Sequence, residues 1–73
     1  MKNYSFYQYI RTRRGEASPI GRLAEHIAGD AMFPKYSGDY LEISDYLERN
    51  PYEDMPLSYY DTAFEDYRNW LEH

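Results

Sequence analysis

The chain contains no cysteine, which excludes both disulfides and a thiolate zinc site as ways of holding a small fold together. It has no valine either and no period-two run of β-branched residues, so no segment reads as a strand. No apolar run approaches the ~20 residues needed to cross a bilayer. The opening Met1-Lys2-Asn3-Tyr4-Ser5-Phe6-Tyr7-Gln8 has one basic residue but no apolar stretch behind it, unlike a signal peptide. These absences predict a cytoplasmic protein with no membrane partner. The four glycines are scattered at 15, 21, 29 and 38, with none of the clustering of a phosphate-binding loop. Basic residues are scarce too, eight against thirteen acidic, for a formal net charge of −5. That balance disfavours generic nucleic-acid binding, which needs a concentrated basic surface.

Aromatic side chains fill the gap. With 73 residues, the chain buries only roughly 60% of its unfolded surface, yet ten Tyr, three Phe and one Trp provide large contact areas with few rotatable bonds. One ordered domain over residues 1–73 is expected. Charge is unevenly placed. Residues 1–35 hold six basic side chains (Lys2, Arg11, Arg13, Arg14, Arg22, Lys35) and three acidic ones, a balance of +3; residues 36–73 stand at −8. Such asymmetry can steer a charged partner.

Four helical segments follow from their start signals. Ser5 with Gln8 makes a capping box, and Tyr4 and Tyr9 take the N′ and N4 positions of a hydrophobic staple. Phe6, Tyr9 and Ile10 then face inward, and Gly15 ends the segment. Ser18 caps a second helix with Pro19 at its first position. Ile20, Leu23, Ala24, Ile27, Ala28 and Ala31 recur at i, i+3, i+4, i+7, and Phe33-Pro34 is the expected stop, because a residue before proline is pushed out of the α region. Phe33 is expected to be buried. Asp39 caps a third helix with Glu42 at N3 and Tyr40, Ile43, Tyr46 and Leu47 inward; Asn50-Pro51 closes it. Pro51 to Leu57 is an acidic, proline-bounded connection with room for a turn of helix. Ser58 is the expected cap of the longest helix, with Asp61 at N3, a stripe of Tyr60, Ala63, Phe64, Tyr67 and Leu71, and Tyr59 and Trp70 on its flanks. The fold class is all-α.

No constellation carries chemistry. His26 lies on a polar helix face and His73 is the last residue, so no metal or triad can be assembled around them. Asp39, Glu42, Asp45 and Glu48 recur along one helix, but a solvated acidic face explains them, and Glu53-Asp54 lacks the pattern of an EF-hand. No catalytic, metal or cofactor residue is assigned, and a non-enzymatic role is expected. Two surfaces remain as candidates. Arg11, Arg13 and Arg14, with Arg22 and Lys35, offer a polyanion-binding patch beside Tyr7, although a helix C-terminus attracts cations by its dipole alone. Ten tyrosines exceed what one small core buries, so Tyr7, Tyr36, Tyr52 and Tyr59 are candidates for contact with another protein.

The order of segments resembles a known family. Ser-Phe-Tyr-Gln-Tyr at 5–9, Pro-Ile-Gly-Arg-Leu-Ala at 19–24, Phe-Pro-Lys at 33–35, Asp39-Tyr40 before Ile-Ser-Asp-Tyr-Leu-Glu at 43–48, and Asp61-x-Ala-Phe-x-x-Tyr67 together look like the YozE-like family of small proteins from Gram-positive, Firmicutes-type bacteria. The resemblance spans essentially the whole chain. It implies a SAM-like fold, a bundle of four or five short helices ending in a longer one. It brings no activity and no binding residues that could be carried over. Tyr59-Tyr60 and the arginine-rich end of the first helix depart from the family pattern without threatening the fold. SAM-like folds elsewhere serve protein association, and some related helical folds bind nucleic acid; that is analogy at the level of the fold. The expected partner is another protein, with nucleic acid as the alternative; a tyrosine-rich face would also suit a homodimer.

Overall fold

The computed structural model describes residues 4–72. Helices α1 (Phe6–Ile10), α2 (Pro19–Ala28), α3 (Tyr40–Arg49) and α4 (Leu57–Glu72) follow one another, with a 3-10 turn over Arg11–Arg13 after α1. No strand occurs among the described residues. At 16 residues α4 is the longest helix, and α1, α2 and α3 all pack against it.

Local chemistry sets most of the boundaries. Ser5 accepts from the Gln8 N–H while the Gln8 side chain accepts from the Ser5 N–H, a complete capping box. The rings of Tyr4 and Tyr9 meet through Trp70 of α4, at centroid distances of 5.4 and 5.2 Å, so the staple closes onto another helix. At Gly15 the chain turns with φ +88°, in the left-handed region that favours glycine. Ser18 caps α2, accepting from Gly21 N–H at 3.1 Å. Gly21 is a close approach: a Cβ there would stand 2.1 Å from the Glu16 carbonyl oxygen, so the incoming loop lies on α2 only because this residue has no side chain.

Two expected boundaries are corrected. Helix α2 stops at Ala28, with Gly29 at its C-cap, well before Phe33-Pro34. Beyond it the Asp30 side chain takes the Met32 N–H at 3.0 Å, which bends the chain away, and Ala31 is exposed rather than on the inward stripe. Helix α4 begins at Leu57, one residue before the expected start, so Ser58 lies inside the first turn. There the Pro56 carbonyl already accepts from Tyr59 N–H at 3.0 Å, and the Asp61 carboxylate takes the Tyr40 hydroxyl rather than closing a capping box. Asp39 does cap α3, accepting from Leu41 N–H. The 51–56 connection contains a turn, with Asp54 at φ +60°, and no helix.

The core is aromatic. Phe6 is fully buried and touches Tyr60 and Tyr67 edge to face, stacks on Phe64 and meets Tyr9 at a tilt. Ile10, Ile20, Leu23, Ala24, Ile27, Phe33, Ile43, Leu47 and Ala63 complete it, so the expected burial of Phe33 is met. Buried hydroxyls find partners across elements. Tyr60 donates to the Tyr40 carbonyl at 2.8 Å, and Tyr67 donates to the Tyr4 carbonyl. Gly38 leaves room for the latter, since a Cβ would meet the Tyr67 hydroxyl at 2.9 Å.

Candidate interaction surfaces

The α2–α3 side of the molecule carries a cleft of about 290 Å³. Leu23, Leu47 and Tyr60 form its floor, and the 51–57 segment supplies Pro51, Tyr52, Met55, Pro56 and Leu57 as walls. Its lining is apolar apart from the Tyr hydroxyls and Glu48 at the edge. Glu53 and Asp54, both exposed, sit on the same connecting segment.

One carboxylate shapes this cleft. The hydroxyls of Tyr46 and Tyr52 donate to Asp30 Oδ2 at 2.6 and 2.8 Å. Asp30 thereby ties the end of α2 to α3 and to the 51–56 connection. Desolvation pushes the Asp30 pKa up, but the two hydroxyls, the Met32 N–H and the charge of Lys35 outweigh it and hold the carboxyl below its usual range. The same contacts act in reverse on the tyrosines. Burial and the Asp30 charge push Tyr46 up to about 12, and move Tyr52 further in the same direction. His26, exposed on α2, stacks flat on Tyr52 at 5.2 Å and 11°, bracing the wall from behind. This histidine has a packing role, and no group of three or more His, Asp or Glu among the described residues is arranged to hold a metal ion.

The basic residues are divided among several environments. Arg13 pairs with Glu16, donates to the Tyr9 hydroxyl at 2.6 Å and lies 3.6 Å from Asp66 of α4. Glu16, with its ion pair and hydrogen bond, raises the Arg13 pKa, and Arg13 lowers that of Glu16. Arg14 pairs with Glu25 at 3.1 Å. Arg22 is exposed on α2. Arg11 and Lys35 come together: the Arg11 guanidinium carbon and the Lys35 ammonium nitrogen each lie 5.6 Å from the centre of the Tyr7 ring. The four candidate tyrosines also separate. Tyr36 is 76% exposed, with its hydroxyl on Glu42. Tyr7 is half-buried against Phe33, Tyr59 is half-buried on the flank of α4, and Tyr52 is a wall of the apolar cleft. Tyr7 and Tyr36 line one groove with Arg11 and Lys35.

The family model for the YozE SAM-like fold matches residues 5–69. The chain belongs to the YozE SAM-like family. UPF0346 proteins of Staphylococcus aureus strains JH9 and COL are each 46% identical to it over 72 residues, covering 99% of both chains. The four-helix architecture is therefore the family's SAM-like fold. Among the described residues no helix is long and apolar enough to cross a membrane.

Of the cleft residues, only Tyr52 stood out in the sequence as a candidate for contact. Leu23, Leu47 and Tyr60 read as core, and Met55 and Leu57 as loop. A signal was present in the connection, where two prolines bracket Tyr52 and Met55 among acids: apolar residues in an otherwise charged loop must cover something or be covered.

Proposed function

We propose that this YozE-like protein is a non-enzymatic interaction module that docks a partner segment in the apolar cleft between α2, α3 and the 51–57 connection. The supporting observation is the cleft itself. Its 290 Å³ lies at the small end of ligand sites, which span roughly 300–1,000 Å³. That volume suits one or two large side chains of a peptide rather than a cofactor. Its lining lacks the convergent polar groups that a reaction centre requires. Glu48 in the lining, with Glu53 and Asp54 exposed on the segment that forms the wall, favours a partner with an apolar anchor flanked by Lys or Arg.

Peptide selection on the intact chain tests this reading. Enriched sequences should carry a large apolar residue beside basic ones. Titration of a selected peptide should shift the amide resonances of Leu47, Tyr52, Met55 and Leu57. Leu57→Glu, at a rim position 37% exposed, should keep the fold and weaken binding roughly tenfold or more. Selected peptides without an apolar anchor, or shifts centred elsewhere, would overturn the proposal. The alternative, a nucleic-acid accessory role for the basic patch, receives less support, because Arg13 and Arg14 are engaged by Glu16, Asp66 and Glu25.

A further inference from the structure

The groove around Tyr7 is distinct from the apolar cleft and differs from it in chemistry. Arg11 comes from the 3-10 turn after α1 and Lys35 from the loop before α3, yet both stand at the same ring. Their charges are separated by no more than twice the 5.6 Å that each keeps from its centre. Both line a groove of about 650 Å³ with Tyr4, Gln8 and Tyr36, and no carboxylate belongs to its walls. Glu42, which accepts from the Tyr36 hydroxyl at 2.8 Å, and Asp45 line the adjoining depression, which Lys35 also borders. Arg11, Lys35, Arg22 and Arg68 make no ion pair among the described residues, whereas Arg13, Arg14 and Arg49 do; of the four, Arg11 and Lys35 share one aromatic ring. The Asp30 carboxylate feels the Lys35 charge from outside the groove, so the groove itself presents two cations and no acid.

We propose that this groove binds a short acidic peptide segment of a partner protein, whose carboxylates meet Arg11 and Lys35 while its apolar atoms lie on Tyr7 and Tyr36. Charge count favours a short anionic segment over a nucleic-acid strand. Phosphate tracking needs a continuous basic stripe, and here two cations stand alone while residues 36–73 carry a balance of −8 that repels a long polyanion. Tyr36, at 76% exposure, offers the open ring face against which such a segment can pack.

The test uses the intact chain with three probes: a labelled Glu- and Asp-rich peptide, an oligothymidylate and inorganic phosphate. The peptide should bind saturably, weaken with added salt and shift the amides of Tyr7, Arg11, Lys35 and Tyr36. Joint reversal, Arg11→Glu with Lys35→Glu, should cost about tenfold or more in affinity, whereas Arg14→Glu should change it by less than about twofold. Should the reversed chain fail to fold by circular dichroism, Arg11→Gln with Lys35→Gln replaces it, with a smaller loss in the same direction. Absent peptide binding, tighter binding of oligothymidylate, effective competition by phosphate alone, or an equal loss with Arg14→Glu would each overturn the proposal. So would self-association that the reversal abolishes, which would make a second copy the occupant. Leu57→Glu should leave this binding intact, so failure of the cleft and failure of this groove are separable.

Discussion

Where α1 meets α4, contact is ring upon ring, with Phe6 among Tyr9, Tyr60, Phe64 and Tyr67 at centroid distances of 5.5 to 6.3 Å. Where α2 approaches α3 and the 51–56 connection, the link includes a single carboxylate, Asp30, holding two tyrosine hydroxyls. The first region is buried and sterically tight: a Cβ at Gly38 would stand 2.9 Å from the Tyr67 hydroxyl. The second is partly exposed, polar and sensitive to protonation. The difference separates a scaffold from a working surface: the ring-packed half sets the fold, and the carboxylate-clasped half shapes the cleft proposed to bind. A clasp of hydrogen bonds has fixed geometry but modest net strength, which suits a wall that must meet a partner.

Substitutions should expose that contrast. The largest effect is expected from Phe6→Ala, which empties the centre of the ring cluster; a loss of about 3–5 kcal/mol by urea unfolding is predicted, with all helices lost together. Gly21→Ala forces the Glu16 backbone and α2 apart, and about 1–3 kcal/mol or more of stability should go. Asp30→Ala leaves the Tyr46 and Tyr52 hydroxyls without their acceptor, with an expected cost of about 1–3 kcal/mol. Its signature should be local, with near-ultraviolet dichroism from the tyrosines changing more than far-ultraviolet signal.

Titration sharpens the contrast without mutation. The Asp30 carboxyl is held below its ordinary pKa in the folded chain, so its contribution is full above the unfolded value, about 3.9, and is lost as pH falls through the folded one. Tyr46 is raised from 10.0 to about 12, so its contribution is full below pH 10 and is lost as pH rises toward 12. Urea midpoints measured across pH should therefore fall at both ends, and Asp30→Ala should flatten both flanks. The smallest effect belongs to Arg14→Ala. Its pair with Glu25 is exposed on both sides, and the stability change should stay within about 0.5 kcal/mol.

Much of the scaffold was legible from short-range rules. Ser5 with Gln8, Ser18 with Pro19, and Asp39 each announce a helix start, because a cap needs only a neighbour a few residues away. The periodic stripes on α2 and α4 named nearly all the residues that those two helices bury, for the same reason. Ala31 and Ser58 were misplaced because their fates depend on partners distant in sequence. Asp30 turns the chain after α2 while reaching Tyr46 and Tyr52, 16 and 22 residues away, and Asp61 is claimed by Tyr40 across 21 residues. The candidate surfaces were less legible still. Composition singled out arginines and tyrosines as types, but only the packing shows that Arg13 and Arg14 face carboxylates while Arg11 and Lys35 share a ring. The apolar cleft arises where the second and third helices meet a loop, a juxtaposition that no local pattern encodes.

Amide hydrogen exchange on Asp30→Ala, read residue by residue beside binding of a cleft-selected peptide, tests the central claim most directly. The account predicts that protection in α1, α2 and α4 survives, that protection falls in α3 and around Tyr52, and that peptide affinity drops with it. Uniform loss of protection across all four helices, or peptide binding unchanged by the substitution, would contradict it.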